Sequence, residues 1–285
     1  MYKRQVLPTP RVITVTSDSE DGEGVADTGD KVTITGENFG TDPSDISVSF
    51  NGTPAEFELV DESTIVATTP ADYQTGSVTV TIHGYTMTGG AMFNPNSKGD
   101  VTVLYLQNYK QPFAKANDES WKNGEWWTPA VWNQNAASFN AKGNTTVSGM
   151  QYKSEEGLTL AFQNGWDKEA YTNGKMWQVA TLRPGKYRLE VTYAYTLVVT
   201  DAGNFISVLI AKGDSESDIP NVADLEQLNG VYVAYDKMGT ANDSGTLVTP
   251  SFEVTETTDV VIGFLTSLAK GNSYFKVTEL KLILE

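Results

Sequence analysis

The chain has no cysteine and a single histidine, His83, among 285 residues. A disulfide framework, a thiolate zinc site and a thiol nucleophile are therefore excluded. A histidine-rich metal centre is excluded too, and His83, at the end of a strand-like run before Gly84, is expected to be structural or solvated rather than a catalytic base. Positive charge is also scarce: 20 Lys and Arg face 36 Asp and Glu, for a formal net charge of −16. A field of that sign repels phosphate backbones and anionic lipid, which argues against nucleic acid as a partner but not against neutral sugars. No apolar run reaches the roughly 18 residues of a membrane-spanning helix. The opening Met1-Tyr2-Lys3-Arg4 lacks an apolar signal core, and the expectation is an exported protein whose targeting segment and lipid anchor have been trimmed away.

What is present is glycine, threonine, valine and aromatic residue in quantity, which favours strands and turns. The length suggests two domains. From about Pro10 to Pro95, after a tail over residues 1–9, short runs alternate with period two: Val32 and Ile34, then Ile46, Val48 and Phe50, then Val78, Val80 and Ile82. Asn51-Gly52, between Phe50 and Phe57, is a hairpin signal. The spacing predicts an immunoglobulin-like β-sandwich. Gly36-Glu37-Asn38-Phe39-Gly40, followed by Ile46 to Gly52 and by Thr64 to Pro70, resembles the immunoglobulin-like fold shared by plexins and transcription factors. That resemblance implies a spacer rather than a site.

From residue 96 to 285 a second all-β segment is expected. Strands are predicted at Leu158 to Phe162, Met176 to Thr181, Tyr187 to Tyr195, Phe205 to Ile210, Val231 to Tyr235, Phe252 to Val254, Val260 to Leu265 and Phe275 to Leu284. Only Asp224 to Leu228 hints at a helix. That many strands in one unit suggest a jelly-roll sandwich. Asn173 to Gln178 with the Arg183-Pro184-Gly185-Lys186 turn, and the ending Tyr274 to Leu282, resemble galactose-binding-like jelly rolls. Trp126-Trp127-Thr128-Pro129-Ala130-Val131-Trp132 resembles the opening of C-terminal domains in Bacteroidetes surface lipoproteins. Such proteins serve polysaccharide-utilisation systems, which implies other outer-membrane glycan-uptake proteins as partners.

Chemistry concentrates in one stretch. Trp121, Trp126, Trp127 and Trp132 fall close together, and Trp166 and Tyr171 follow. Flat rings bury the C–H faces of sugars at low entropic cost. Asn123, Glu125, Asn133, Gln134, Asn164 and Asp167 lie near them in sequence and are suited to hydroxyl groups. Each ring is equally a candidate for the core. Adjacent Trp126 and Trp127 point to opposite faces if extended, so one is expected to pack and the other to be exposed. Trp177, inside a strand-like run, is expected in the core. Acidic residues are plentiful, but no pair sits in a recognisable glycosidase motif, so no catalytic residues are assigned. The jelly-roll resemblance implies a structural calcium near the domain ends, with Asp100 and Glu279 as positional candidates. The expected function is non-catalytic capture of a polysaccharide or oligosaccharide at a bacterial cell surface. Adhesion to another protein is the alternative.

Overall fold

The structure is a computed structural model that describes residues 8–19, 23–120, 124–139, 148–164, 170–198, 203–238, 243–269 and 273–285. The chain divides after Leu104 into two compact units. The fold is all-β, with a β-sandwich in each unit.

The first unit contains β1 (Arg11–Ser17), β2 (Lys31–Glu37), β3 (Ile46–Phe50), β4 (Thr53–Ala55), β5 (Phe57–Asp61), β6 (Thr64–Thr68), β7 (Gly76–Ile82), β8 (Tyr85–Met92) and β9 (Gly99–Asp100). Two four-stranded antiparallel sheets run in the orders β1-β2-β6-β5 and β4-β3-β7-β8. The period-two residues meet between them: Val32, Ile34 and Ile65 from one sheet, Val48, Phe50, Val78 and Val80 from the other. The Gly36–Gly40 motif has a packing cause. A Cβ on Gly36 would overlap the Phe39 ring and the Arg11 carbonyl, so glycine makes room for the buried phenyl. Asn38 and Gly40 turn the chain with φ of 61° and 81°.

Asn51 and Gly52 both have positive φ, 45° and 85°, as a type I′ hairpin requires. The strand that returns along β3 is Thr53–Ala55, with Phe50 opposite Thr53. Phe57 instead begins β5, which pairs with β6 in the other sheet. The chain changes sheets at Glu56, and alternation alone does not reveal that crossing.

The second unit contains β10 (Trp126–Trp127), β11 (Asn133–Gln134), β12 (Ser148–Lys153), β13 (Gly157–Asn164), β14 (Tyr171–Leu182), β15 (Gly185–Tyr193), β16 (Phe205–Lys212), β17 (Val233–Lys237), β18 (Gly245–Val248), β19 (Phe252–Val254), β20 (Thr258–Leu268) and β21 (Ser273–Leu284). One sheet has the order β10-β12-β13-β21-β15-β18, with β19 also on β15; the other is β11-β14-β20-β16-β17. Phe162 and Phe275 from the first meet Phe264 of the second at 5.0 and 6.4 Å between ring centroids. Trp132 reaches the same Phe264 at 5.7 Å. Such tilted and edge-on pairs contribute beyond the area they bury.

The second sheet is covered on its far face as well. Trp177, Leu209, Val261 and Leu265 pack there under Ile219, Leu225 and Val233, in and beside a stretch that includes the helical turn Leu225–Leu228. Trp177 is thus a core residue, as its strand-like setting implied. β17 starts two residues later than expected, because Val231 and Tyr232 close a turn onto the Leu228 carbonyl. β15 stops at Tyr193, and Tyr195 takes a left-handed φ of 52°.

Candidate ligand-binding cleft

The tryptophans expected to form a platform are interior. Trp126 and Trp127 form β10 and pair with Gln151 and Met150. They do point to opposite faces, yet both are buried, at 1% and 7% exposure. Trp127 shares a face with Met150, Leu160 and Val277, the side that meets the second sheet, and Lys115 Nζ lies 4.0 Å from its ring centroid. Trp126 shares the other face with Gln151 and Thr159, which are buried too, near buried Lys276 paired with Glu156. The expected exposure of one ring fails because this end of the sheet is closed on both sides.

Tyr171 and Asn164 are also structural. The Tyr171 ring packs where a Cβ of Gly174 would stand, at 2.5 Å, and its hydroxyl meets Thr266 Oγ1 at 3.1 Å. Burial pushes its phenol well above the usual tyrosine range. Asn164 is fully buried, and its Nδ2 donates to the carbonyls of Leu268 and Ala269, closing the β20–β21 connection. None of these four side chains exposes more than 7% of its surface. Trp121, Asn123, Trp166 and Asp167 lie outside the described residues. Glu125 is ion-paired with Lys153 at 2.9 Å.

One tryptophan of the group does border a depression. The chain crosses from β10 to β11 through residues 128–132, and Asn108 holds that crossing. Its Nδ2 donates to the carbonyls of Ala114 and Ala130, while its own carbonyl accepts from Trp132 Nε1 at 3.0 Å. Val131, exposed, is kept at φ 61°, an unfavourable backbone for a β-branched residue. Beside this crossing lies an open cleft of about 390 Å³, lined by Thr128, Trp132, Asn133, Gln134, Asn135, Ala136 and Phe139. Trp132 is itself 5% exposed, whereas Phe139 exposes 42% of its surface.

The three carboxamides in the lining are not equivalent. Asn135 is saturated: its Oδ1 accepts from the backbone N–H groups of Ser138 and Lys175, and its Nδ2 donates to Asn173 O and Glu216 Oε1. Gln134 Nε2 donates to Ser148 Oγ at 3.0 Å, and that hydroxyl donates onward to Ser138 O. Its Oε1 is buried and without a hydrogen-bond partner. Asn133 is exposed, and no hydrogen bond to its side chain is found among the described residues. None of the described lining residues ionises near neutrality. Asn133 and Gln134 were legible from their place beside the rings. Phe139 and Asn135 were not singled out, although a lone phenylalanine after Asn135-Ala136-Ala137-Ser138 is the kind of exposed aromatic a binding loop needs.

The calcium candidates do not fit that ion, which takes roughly six to eight oxygen ligands. Asp100 Oδ1 accepts from both the backbone N–H and the hydroxyl of Thr102. Glu279 faces Lys281 at 3.5 Å. Among the described residues no group of three or more acidic or histidine side chains comes together. His83, at φ 49° in the β7–β8 turn, lies 3.3 Å from Asp45 and has a structural place. No helix among the described residues is long and apolar enough to cross a membrane.

No curated protein matches the chain. Solved structures similar to it include the module TmCBM61 in complex with β-1,4-galactotriose, at 12% identity and a TM-score of 0.36 over 63% of this chain and 100% of that one. SGBP-B from a xyloglucan utilization locus of Bacteroides uniformis is 14% identical, with a TM-score of 0.27 over 100% and 75%. The enzymatically active domain of tailspike protein 4 from bacteriophage CBA120 is 10% identical, with a TM-score of 0.33 over 55% and 20%. Likenesses this remote decide neither ligand nor activity. Residues 22–97 match the model of the IPT/TIG domain, an immunoglobulin-like fold that agrees with the first sandwich. Residues 107–263, more than half of the chain and the bulk of the second sandwich, match the model described as Domain of unknown function (DUF5013), and the protein belongs to that family.

Proposed function

We propose that the second unit binds a neutral carbohydrate without altering it, through the cleft along β11. The observation that carries this reading is the lining: one exposed phenyl ring, a largely buried indole, a threonine and three carboxamides, with no ionised side chain described among them. A sugar is an alternation of apolar C–H faces and uncharged hydroxyls, and that lining is its complement. The volume is in the range of small-molecule sites. Lining groups that neither donate nor take up a proton near neutrality offer no general acid or base, which favours capture over cleavage. The net charge of −16 works against polyanions. On this reading the immunoglobulin-like unit is a spacer. The setting is the outer surface of a bacterial cell, beside other glycan-uptake proteins, as the sequence resemblance implies.

Native affinity electrophoresis tests this directly, because so acidic a chain migrates well. The intact protein is run through gels containing β-1,4-galactan, xylan, xyloglucan or laminarin, beside Phe139→Ala. Retardation by at least one polymer is expected. The variant should bind about two- to tenfold more weakly, the value of one aromatic contact. Unchanged migration of the intact chain in every gel overturns the reading, and capture of a protein partner then becomes the one to pursue.

A further inference from the structure

We propose that Asn133 is the residue that selects the ligand, and that it selects for a vicinal pair of hydroxyls. The inference rests on the carbohydrate reading of the cleft. It comes from the hydrogen-bond capacity of three successive carboxamides. Asn135 has both lone-pair positions and both N–H groups engaged by protein, through Ser138, Lys175, Asn173 and Glu216. It shapes the wall of the cleft and has nothing left to offer. Gln134 is turned inward by strand alternation, opposite Met176, and its Nε2 is held by Ser148. Ser148 spends its own proton on the Ser138 carbonyl, so the hydroxyl faces Gln134 only as an acceptor and fixes the amide with nitrogen towards it. The remaining oxygen is closed off from solvent.

Asn133 is turned the other way, opposite Trp177 on the outer face, exposed and, among the described residues, with no hydrogen bond at either end of its carboxamide. A free carboxamide offers one donor edge and one acceptor side by side. Two adjacent hydroxyls on a sugar ring match it: one accepts from Nδ2 while its neighbour donates to Oδ1. Phe139, in the same lining, supplies the apolar surface for the ring carbons. The preferred ligand is therefore a neutral chain whose internal residues keep two neighbouring ring hydroxyls free, as 1,4-linked pyranosides do. A 1,3-linked chain has its linkage between the remaining ring hydroxyls and presents no such pair.

The test uses the full chain and four soluble polymers: xylan, β-1,4-galactan and xyloglucan, all 1,4-linked, and laminarin, which is 1,3-linked. Asn133→Ala is measured beside the unsubstituted protein, with near-ultraviolet circular dichroism to verify the fold. The expected result is binding to one or more 1,4-linked polymers, little or none to laminarin, and a loss of about tenfold in the folded variant, in line with a paired hydrogen bond. Equal binding of laminarin overturns the assignment, and that comparison needs no variant. So does undiminished binding by Asn133→Ala while the unsubstituted chain binds. Failure of the unsubstituted chain to bind any polymer overturns the carbohydrate reading itself, which separates the two.

Discussion

Several side chains carry more of this structure than their size suggests. Gly36 is one. Its missing Cβ is the space the Phe39 ring occupies, with the Arg11 carbonyl on the other side. Gly36→Ala would force that backbone or that ring to move. A loss of about 1–3 kcal/mol is expected, as for other overpacked sites, read as a lower urea midpoint with an unchanged slope. Asn108 is another: one carboxamide and one carbonyl tie together Ala114, Ala130 and Trp132. The strained Val131 beside it is held by that clamp rather than by packing of its own exposed side chain.

At the scale of elements, the stretch over the outer face of the second sheet depends on a buried lysine. Lys175 Nζ donates to the carbonyls of Glu216 at 3.2 Å and Ile219 at 2.6 Å, and burial lowers its pKa. Lys175→Met keeps the apolar stem and removes both bonds. Faster amide hydrogen exchange is expected across residues 213–232, with β20 and β16 unchanged. Uniform acceleration across the unit would show that this stretch is not a separable layer.

The strands themselves were largely legible in the sequence, because each half-buried strand shows its period of two. β2, β3, β7 and β15 lie where alternation predicts them, and β13, β14 and β16, largely buried on both faces, lie where strand-like runs without alternation predict them. Two kinds of feature were not legible. One is which sheet a strand joins, as at Thr53–Ala55 and Phe57–Asp61, since crossing between sheets leaves no mark on alternation. The other is whether a face ends up covered. Trp126 and Trp127 alternate as expected, yet long-range contacts close both faces. The candidate site inherited that blind spot. Its polar residues, Asn133 and Gln134, were close to hand, while its exposed ring, Phe139, stands apart from the tryptophan-rich run.

Across the whole molecule, alkaline pH should be the weak side. Tyr73 in the first unit and Tyr171 and Tyr187 in the second have phenols pushed well above the ordinary value of 10.0, chiefly by burial. A raised folded-state pKa means that the unfolded chain gives up those protons first. The stabilisation is full below pH about 10 and is lost as pH rises through and beyond it. Thermal melts at pH 8, 10 and 11 should show the midpoint holding and then falling. Phenolate absorbance from the buried tyrosines should appear only together with unfolding. Ionisation of these phenols in the folded protein would contradict the burial described.

The strand order of the second unit also has a temporal side. β21, the last of its strands in the chain, lies in the middle of its sheet, between β13 and β15. Neither neighbour can substitute for it, because β13 takes residues 273–277 and β15 takes residues 277–284. During vectorial synthesis β13 and β15 therefore wait, with facing edges unpaired, until the final dozen residues of this sandwich leave the ribosome or the export channel. The two four-stranded sheets of the first unit draw only on β1 to β8, all of which precede residue 93, and have no such dependence. On the proposed reading, in which the chain is exported unfolded, that lag is an advantage: the second unit stays threadable until β21 arrives.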